Sequence, residues 1–430
     1  MPDDLSALPD ADAAWWRFAL DPARRASPDA ARLRAPDGRP LVNAPDADGR
    51  LGLDYDRYLG LEALLGAGTP ASSVPDERAF ITVHQLCEIA FKQMVLDLAV
   101  VAGTLEMLAR EDDDRFRALA LEGLPDHAGP APFWRPALTA AARLRHAARR
   151  VLPAVMPYVG RGDDDDVLFS TIEFALFRDA LTPSSGFQTA QLRLIQRALG
   201  KGPLLDVPVF PGEDYGHHYA GCPAGRVALG DPLVLREVHA RAFPAPDQPE
   251  AAAARLDAAA HAALARLAPL ADGLPEPPAV ARIRADDLDR AAARFRATLG
   301  QDDSGTSDAE TAAFRAALAR AADTENARRD GLGDARRGAQ ALFGPARRTC
   351  LAFVLDRLHA TDAALHAPDA DSFLTVHRRT VRRHVADGGG TGGGGMPYLV
   401  TSQRFLLPLF PALVAYADLD DFPAQRAGAF

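Results

Sequence analysis

The chain has 430 residues, of which 48% are hydrophobic and 25% charged, so it is long enough to bury a large core. Its 48 basic and 58 acidic residues give a net charge of −10, which argues against general nucleic-acid binding and against an anionic membrane surface as partner. Three widely spaced cysteines, Cys87, Cys222 and Cys350, form no disulfide framework. With an acidic N-terminus and no run of about 18 apolar residues, the sequence predicts a cytoplasmic protein outside the membrane.

The N-terminal part of the chain divides into an extension and two predicted helices. Residues 1–50 are rich in proline, aspartate and arginine and lack periodicity, which predicts an irregular extension. A helix is predicted over 53–65, and a long amphipathic helix over 77–110 with Asp76 as its N-cap. The apolar stripe of the long helix indicates burial against other helices; its members are Phe80, Val83, Cys87, Phe91, Met94 and Val95.

The rest of the chain is predicted to be mostly helical. Helices are predicted over 136–151 and 167–181, and a further one begins near Ser184 or Ser185 and ends at Gly200. Residues 250–345 follow a helical pattern with breaks at 273–278 and 300–307, and three more helices are predicted over 346–365, 372–386 and 399–416. No segment has the period of two that is typical of strands, so the predicted fold class is all-α.

Phe80 and His84 are four residues apart and therefore share one face of the predicted long helix. An imidazole on an apolar helix face is either a core residue whose hydrogen bonds are satisfied or a group that faces a ligand. The spacing by itself leaves both interpretations open.

A single guanidinium lies on an otherwise apolar face of the predicted helix 167–181. Phe174, Arg178 and Leu181 share this face, and Asp179 points elsewhere on the helix. A buried arginine requires an anionic partner. That anion is either an acidic side chain of the protein or the carboxylate of a ligand.

His377 and His384 are seven residues apart on one predicted helix, too far for both to bind one small metal ion. One imidazole is sufficient as the axial ligand of a haem iron. The arginines at 378, 379, 382 and 383 either pair with haem propionates or form a solvated basic face. In the loop that follows, Thr391 stands among seven glycines, which favours a loop that closes over a ligand.

Four blocks of the sequence, in the same order, resemble the tryptophan 2,3-dioxygenase family of haem-dependent aromatic-amino-acid oxygenases. They are YDRYLGLEALL (55–65), DERAFITVHQLCEIAFKQ (76–93), FRDALTPSSGFQ (177–188) and the stretch from His377 to Thr391. The joint occurrence is specific and covers roughly residues 53–200 and 345–415. The resemblance implies a haem-containing helical bundle with one domain over 51–430, enlarged by an inserted helical region at about 202–345.

The resemblance also implies roles for individual residues. His377 is expected to be the axial ligand of the iron of haem b, since no CxxCH motif is present for covalent attachment, and His84 the catalytic base beside the substrate nitrogen. Arg178 is expected to bind the substrate carboxylate. The implied substrate-binding residues are Tyr55, Tyr58, Phe80, Phe174, Arg178, Leu181, Ser185 and Thr391. In the family the segment with the two tyrosines reaches a neighbouring subunit, which implies a homo-oligomer, a tetramer or a dimer.

Three functions remain open at this point. The first is an oxidoreductase of tryptophan catabolism that inserts both atoms of dioxygen across the indole C2–C3 bond of L-tryptophan to give N-formylkynurenine. The second is a haem-dependent oxygenase or peroxygenase acting on tyrosine or a substituted tryptophan, because two serines of the family's glycine loop are glycines here and Ala90 replaces a tryptophan. The third is a haem- or ligand-binding protein without catalysis, which the joint presence of His84, Arg178 and Thr391 disfavours.

Overall fold

The computed structural model describes residues 59, 61–124, 133–156, 170–181, 190–199, 255–277, 282–299, 331–343, 348–366, 372–374, 376 and 377, with individual positions between 312 and 330. Every regular element within these ranges is a helix, which confirms the all-α class. The predictions made for 1–50, 202–254 and 378–416 lie outside the described residues, as do Tyr55, Tyr58, Ser184, Ser185 and Cys222. The arginines at 378, 379, 382 and 383, His384 and Thr391 lie outside them as well.

A long central helix organises the fold. After α1 (Leu61–Gly66), α2 spans Pro75–Arg110, and most of the other helices pack against it. Its bounds agree with the predicted helix over 77–110. The predicted stripe is buried from its second member onward, at Val83, Cys87, Phe91, Met94 and Val95, because this face meets the surrounding helices.

The predicted N-cap of α2 is wrong. Val74, with an extended backbone and no side-chain capping bond, precedes the helix, and Pro75 occupies the first turn. Proline suits this place because its fixed φ is already helical and its missing N–H would have no helical partner there. Asp76 is therefore inside the helix, and its carboxylate accepts a hydrogen bond from a different part of the chain, the backbone N–H of Ser170 at 2.6 Å.

The next helices continue around α2. The helix α3 (Asp113–Ala120) begins with Asp112 as N-cap, whose Oδ1 accepts from the Arg115 N–H at 2.9 Å. The helix α4 (Arg135–His146) runs through a π-helical turn, Ala147–Val151, into α5 (Leu152–Val155). The predicted helix over 136–151 covers α4 and the π turn. The observed helical run continues beyond the predicted end at residue 151, through α5 with Pro153 at its second position.

Two short helices follow and pack on α2. The helix α6 spans Thr171–Leu181, so it begins four residues later than predicted, and α7 spans Ala190–Ala198. In α6, Phe174 and Phe177 are buried, whereas Ile172 and Leu176 are 76% and 67% exposed. Within the described residues, α6 therefore packs through one face only.

The region over 250–345 contributes α8 (Arg255–Leu267), a 3-10 turn (Ala268–Ala271), α9 (Ala285–Leu299) and α10 (Gly333–Phe343). The predicted break at 273–278 falls between the 3-10 turn and α9. The helices α8 and α10 approach so closely that a Cβ on Gly338 would lie 1.7 Å from the Leu264 carbonyl oxygen, so only glycine fits there. The helix α8 also packs on α2. The assignment of this region as an insertion stays a prediction.

The last fully described helix is α11, Cys350–His366. A single antiparallel bridge links its start to the end of α3, with the Leu124 N–H donating to the Arg348 carbonyl and the Cys350 N–H to the Glu122 carbonyl, both at 2.8 Å. After α11, residues 373, 374, 376 and 377 are helical and are called here the His377 segment. None of the helices in the described ranges is long and apolar enough to cross a membrane.

Candidate functional site

A small, partly open cavity of about 40 Å³ lies between the first half of α2 and the His377 segment. The helix α2 supplies five of its lining residues, and the end of α5, the helix α7 and the His377 segment supply the others. Both His84 and His377, which the sequence had singled out separately, line it. The full lining is Val83, His84, Cys87, Glu88, Phe91, Met156, Leu192, Phe373, Leu374 and His377.

His84 is fixed by its own helix. Its Nδ1 lies 2.7 Å from the Phe80 carbonyl oxygen, one turn earlier in α2. Because a carbonyl oxygen only accepts, Nδ1 must carry the hydrogen, and Nε2 is then the atom with the lone pair. Burial lowers the pKa of His84, and the bond to Phe80 opposes this shift only in part. The ring is therefore a neutral hydrogen-bond acceptor at Nε2.

His377 is also neutral at physiological pH. Burial, with the nearby imidazole of His84, lowers the pKa of His377 to about 4. His84 lowers the pKa of His377 because the two rings lie close to each other across the cavity. Neutral imidazole is the form that binds metals, so His377 is available as a ligand without first losing a proton.

An aromatic cluster adjoins His84. The Phe80 ring centroid lies 4.0 Å from that of His84, 5.8 Å from that of Phe174 and 5.6 Å from that of Phe177. The centroids of Phe174 and Phe177 lie 5.4 Å apart with their ring planes at 88°. Edge-to-face contacts of this kind are typical of packed aromatic side chains. They bring the start of α6 against the part of α2 that precedes the cavity.

Among the described residues, Glu88 is the acidic side chain of the cavity lining. Its Oε2 accepts a hydrogen bond from the Gln191 Nε2 at 2.7 Å, and the same amide donates to the Glu88 carbonyl oxygen at 2.9 Å. Gln191, at the start of α7, is 4% exposed. The pair holds α7 against α2 at the cavity wall. The thiol of Cys87 also lines the cavity, where burial and the charge of Glu88 raise its pKa to about 12, so it is protonated.

His366 is a buried histidine with a different environment. The His366 Nδ1 lies 2.8 Å from the Asp362 Oδ1, and its Nε2 lies 3.4 Å from the Gln196 Nε2. All three side chains are almost fully buried. Side chains of the protein thus contact both nitrogens of this ring, as expected for a core histidine.

The structure brings together four of the residues singled out in the sequence, namely Phe80, His84, Phe174 and His377. Arg178 and Leu181 lie within α6. The sequence reasoning missed Glu88, Phe177, Met156, Leu192 and Leu374. Glu88 follows His84 by one helical turn and was recognisable on that ground, but Met156 and Leu192 carry no comparable signal, because they reach the cavity through tertiary packing.

The fold and the cavity define a class: a helical protein in which two neutral imidazoles, from the central helix and from a segment near the C-terminal end, line one largely apolar cavity. The chain is similar to a tryptophan 2,3-dioxygenase of Anaeromyxobacter sp. (strain K), with 31% identity over 202 residues, 47% of this chain and 64% of the relative. A tryptophan 2,3-dioxygenase of Anaeromyxobacter dehalogenans is 29% identical over 198 residues, 46% of this chain and 62% of the relative.

A third relative, a tryptophan 2,3-dioxygenase of Saccharopolyspora erythraea, is 28% identical over 248 residues, 56% of this chain and 73% of the relative. The chain spans less than two thirds of the length of the two Anaeromyxobacter proteins. No protein-family model matches the chain. These similarities support the relationship to the tryptophan 2,3-dioxygenase family that the four sequence blocks indicated.

Proposed function

We propose that the chain is a haem-dependent dioxygenase that opens the indole C2–C3 bond of L-tryptophan to give N-formylkynurenine. The observation that carries the proposal is the cavity itself: His84 and His377, nearly 300 residues apart in the sequence, line one enclosure whose other walls are largely apolar. The names of the relatives support the reaction.

The side chains at the cavity offer the donor set that haem b needs. His377 offers one neutral imidazole, and the apolar side chains of Phe91, Leu192 and Phe373 suit a flat hydrophobic ring system. When bound, haem supplies the ferrous iron that activates dioxygen. In our proposal His377 holds the iron and His84 does not, because His84 is needed for the substrate.

The substrate end is built around His84. Its Nε2 accepts a hydrogen bond from the indole N–H, since the bond from Nδ1 to Phe80 fixes the tautomer. Phe80 and Phe174 provide aromatic surface beside it. Arg178 binds the substrate carboxylate as a bidentate pair. The remaining contacts come, by the family resemblance, from Tyr55, Tyr58, Leu181, Ser185 and Thr391, with the two tyrosines entering from another subunit of a cytoplasmic homo-oligomer.

The reaction is tested by product analysis. Reduced, haem-loaded protein is incubated separately with L-tryptophan and L-tyrosine, each with dioxygen or with peroxide, and the products are identified by mass. Gain of both oxygen atoms by tryptophan supports the proposal. Gain of one oxygen atom, or reaction of tyrosine in preference to tryptophan, would instead support the second hypothesis, and no product from any pair the third.

The iron ligand is tested separately. We expect His377→Ala to lose bound haem or its characteristic Soret band, because it removes the one imidazole assigned to the iron. His384→Ala is the matched control and should bind haem like the parent protein. A normal spectrum for His377→Ala together with haem loss in His384→Ala would transfer the axial role to His384.

A further inference from the structure

The helices α2 and α6 begin side by side, and each supplies a hydrogen-bond acceptor to the first turn of the other. The Asp76 Oδ2 accepts from the Ser170 N–H at 2.6 Å. In return, the Glu173 Oε2 accepts from the Asp76 N–H at 3.4 Å. The Ser170 Oγ accepts from the Glu173 N–H at 3.3 Å, within α6. Asp76, Ser170 and Glu173 are together called the crossed cap.

The crossed cap is a capping box shared between two helices. Ser170 and Glu173 have the Ser-x-x-Glu spacing of a capping box, in which the glutamate normally returns to the N–H of its own N-cap residue. Here Asp76 accepts from that N–H, and Glu173 accepts from α2 instead. The N–H groups at both helix starts gain acceptors, and both carboxylates lie near the positive ends of helix dipoles. Consequently the two helix starts are bonded to each other.

Beyond the crossed cap, the residues that the proposal uses recur every four positions on both helices. Asp76, Phe80 and His84 are four residues apart and lie on one face of α2. On α6, Ser170, Phe174 and position 178 have the same four-residue spacing. One step beyond the crossed cap, the Phe80 and Phe174 rings meet at 5.8 Å. The next step along α2 is His84, and the next along α6 is Arg178. The crossed cap thus lies at the N-terminal end of two rows of residues, one on α2 and one on α6, that carry the proposed substrate contacts.

The packing of α6 makes its position along α2 sensitive to this bond. The buried face of α6 is aromatic, and its opposite face carries the exposed side chains of Ile172 and Leu176. The rings of this face meet tilted or edge-to-face, and dispersion between apolar side chains has little direction, so these contacts resist separation of the helices more than they resist sliding. A short, charge-assisted hydrogen bond at the helix start is directional. It is therefore the contact best suited to fix the register of the two helices.

We propose that Asp76 is a positioning residue for amino-acid binding: through the Ser170 N–H it fixes the register of α6 against α2, and so the placement of Phe174 and Arg178 relative to His84. The inference rests on the proposed function for its substrate. A bidentate guanidinium–carboxylate pair tolerates little displacement, and a misplacement of about 1 Å can cost about 10²-fold in rate. Loss of the crossed cap should weaken amino-acid binding without removing haem.

The matched variants are Asp76→Ala and Asp112→Ala. Asp112 also accepts a backbone N–H at a helix start, from Arg115 at 2.9 Å, but it belongs to α3 and lines no part of the cavity. Both variants should lose a similar small part of their resistance to urea. We expect Asp76→Ala to raise the KM for tryptophan at least tenfold with a smaller change in kcat, and Asp112→Ala to leave both unchanged. Asp76→Asn, which keeps an acceptor oxygen, should recover most of the affinity.

A second measurement needs no substrate. Nitroxide labels on Leu86→Cys in α2 and Leu176→Cys in α6, both exposed positions, report the distance between the helices by pulsed electron resonance, with Cys222→Ser in the background. We expect one narrow distance distribution in the parent and in Asp112→Ala, and a shifted or broadened one in Asp76→Ala. If the parent does not bind tryptophan, the proposed function fails and the distances alone decide on the crossed cap. An unchanged distance, or a changed distance with an unchanged KM, overturns the inference.

Discussion

The two halves of α2 share one apolar pattern but border different surroundings. In the first half, Val83, Cys87 and Phe91 line the cavity together with His84. In the second half, Val101, Leu105 and Leu108 have no exposed surface. Apolar residues recur at helical spacing in both halves. The periodicity therefore tells which face is turned inward, but it does not tell whether side chains or a cavity lie opposite.

The hydrogen bonds of polar side chains also differ between the two halves of α2. In the second half, the buried Asp97 accepts from the Arg143 guanidinium of α4 at 2.5 and 3.1 Å, and the Thr104 hydroxyl donates to the Val100 carbonyl at 2.9 Å. Arg266 of α8 donates to the Ala109 carbonyl near the helix end. These bonds satisfy the polar groups within the protein. In the first half, the bond from His84 to Phe80 sets the tautomer and leaves Nε2 as an acceptor beside the cavity.

The largest expected effect, on turnover, comes from replacing His84, because His84 lines the cavity and the proposed function places it beside the substrate. We expect His84→Ala to bind haem normally and to turn over tryptophan about 10²–10⁴-fold more slowly, the usual range for loss of a general base. Its stability should change little, since the ring borders a cavity. Steady-state kinetics, a haem absorption spectrum and urea unfolding measure the three quantities.

A histidine from the core is the control for this prediction. His366→Ala removes one of the contacts of the buried Asp362 and should destabilise the fold by about 1–3 kcal/mol, the usual cost of removing one partner from a buried hydrogen bond. Turnover per folded molecule should stay near that of the parent. The same stability loss and the same turnover in both variants would remove the distinction between a cavity histidine and a core histidine.

A smaller effect, on the free energy of unfolding, is expected when valine is replaced by alanine at two positions of α2. Val101→Ala removes a side chain with no exposed surface, and we expect it to lower the free energy of unfolding by roughly 1.5–3 kcal/mol. Val83→Ala should cost clearly less, because Val83 lines the cavity and part of its surface contacts no other side chain. Urea unfolding of the haem-free proteins gives the comparison. Equal losses would mean that the first half of α2 is packed as tightly as the second.

The sequence predicted the helices because their signals are local. The bounds of α2 and the break after the 3-10 turn follow from apolar spacing and from prolines and glycines near the ends. The start of α2 was misjudged by two residues, because an aspartate after a proline resembles an N-cap whatever its carboxylate contacts. Ser170 and Glu173 have the spacing of a capping box, but this spacing does not indicate that Asp76 accepts the hydrogen bond of the Ser170 N–H.

The cavity was predictable only in part. His84 and His377 stood out because imidazoles are uncommon on apolar faces, and the family resemblance joined them. Met156 and Leu192 are ordinary apolar residues whose place depends on how α5 and α7 pack on α2. The Glu88–Gln191 bond joins residues 103 positions apart. Contacts over such distances depend on the complete three-dimensional packing, which local patterns do not contain.

The smallest effect, on the pH dependence of stability, is expected at the start of α2, where the buried acid Glu77 lies in the first half but does not line the cavity. The Glu77 carboxylate accepts hydrogen bonds from the Ala71 N–H, the Ser72 N–H and the Ser72 hydroxyl, at 2.7, 2.7 and 2.5 Å. Burial alone would raise the pKa of Glu77, but the hydrogen bond from the Ser72 hydroxyl and the two backbone N–H donors together lower it below its ordinary value of 4.5.

A pKa that is lower in the folded than in the unfolded protein gives stability that is fully present above pH 4.5 and is lost as the pH falls through the folded-state value. The parent should therefore lose more stability between pH 6 and pH 3 than Glu77→Gln, which has no charge to neutralise there. Glu62→Gln, at an exposed position of α1, is the control and should follow the parent. Urea midpoints over this pH range measure the difference. Parallel curves for Glu77→Gln and the parent would show that Ser72 and Ala71 do not favour the ionised carboxylate.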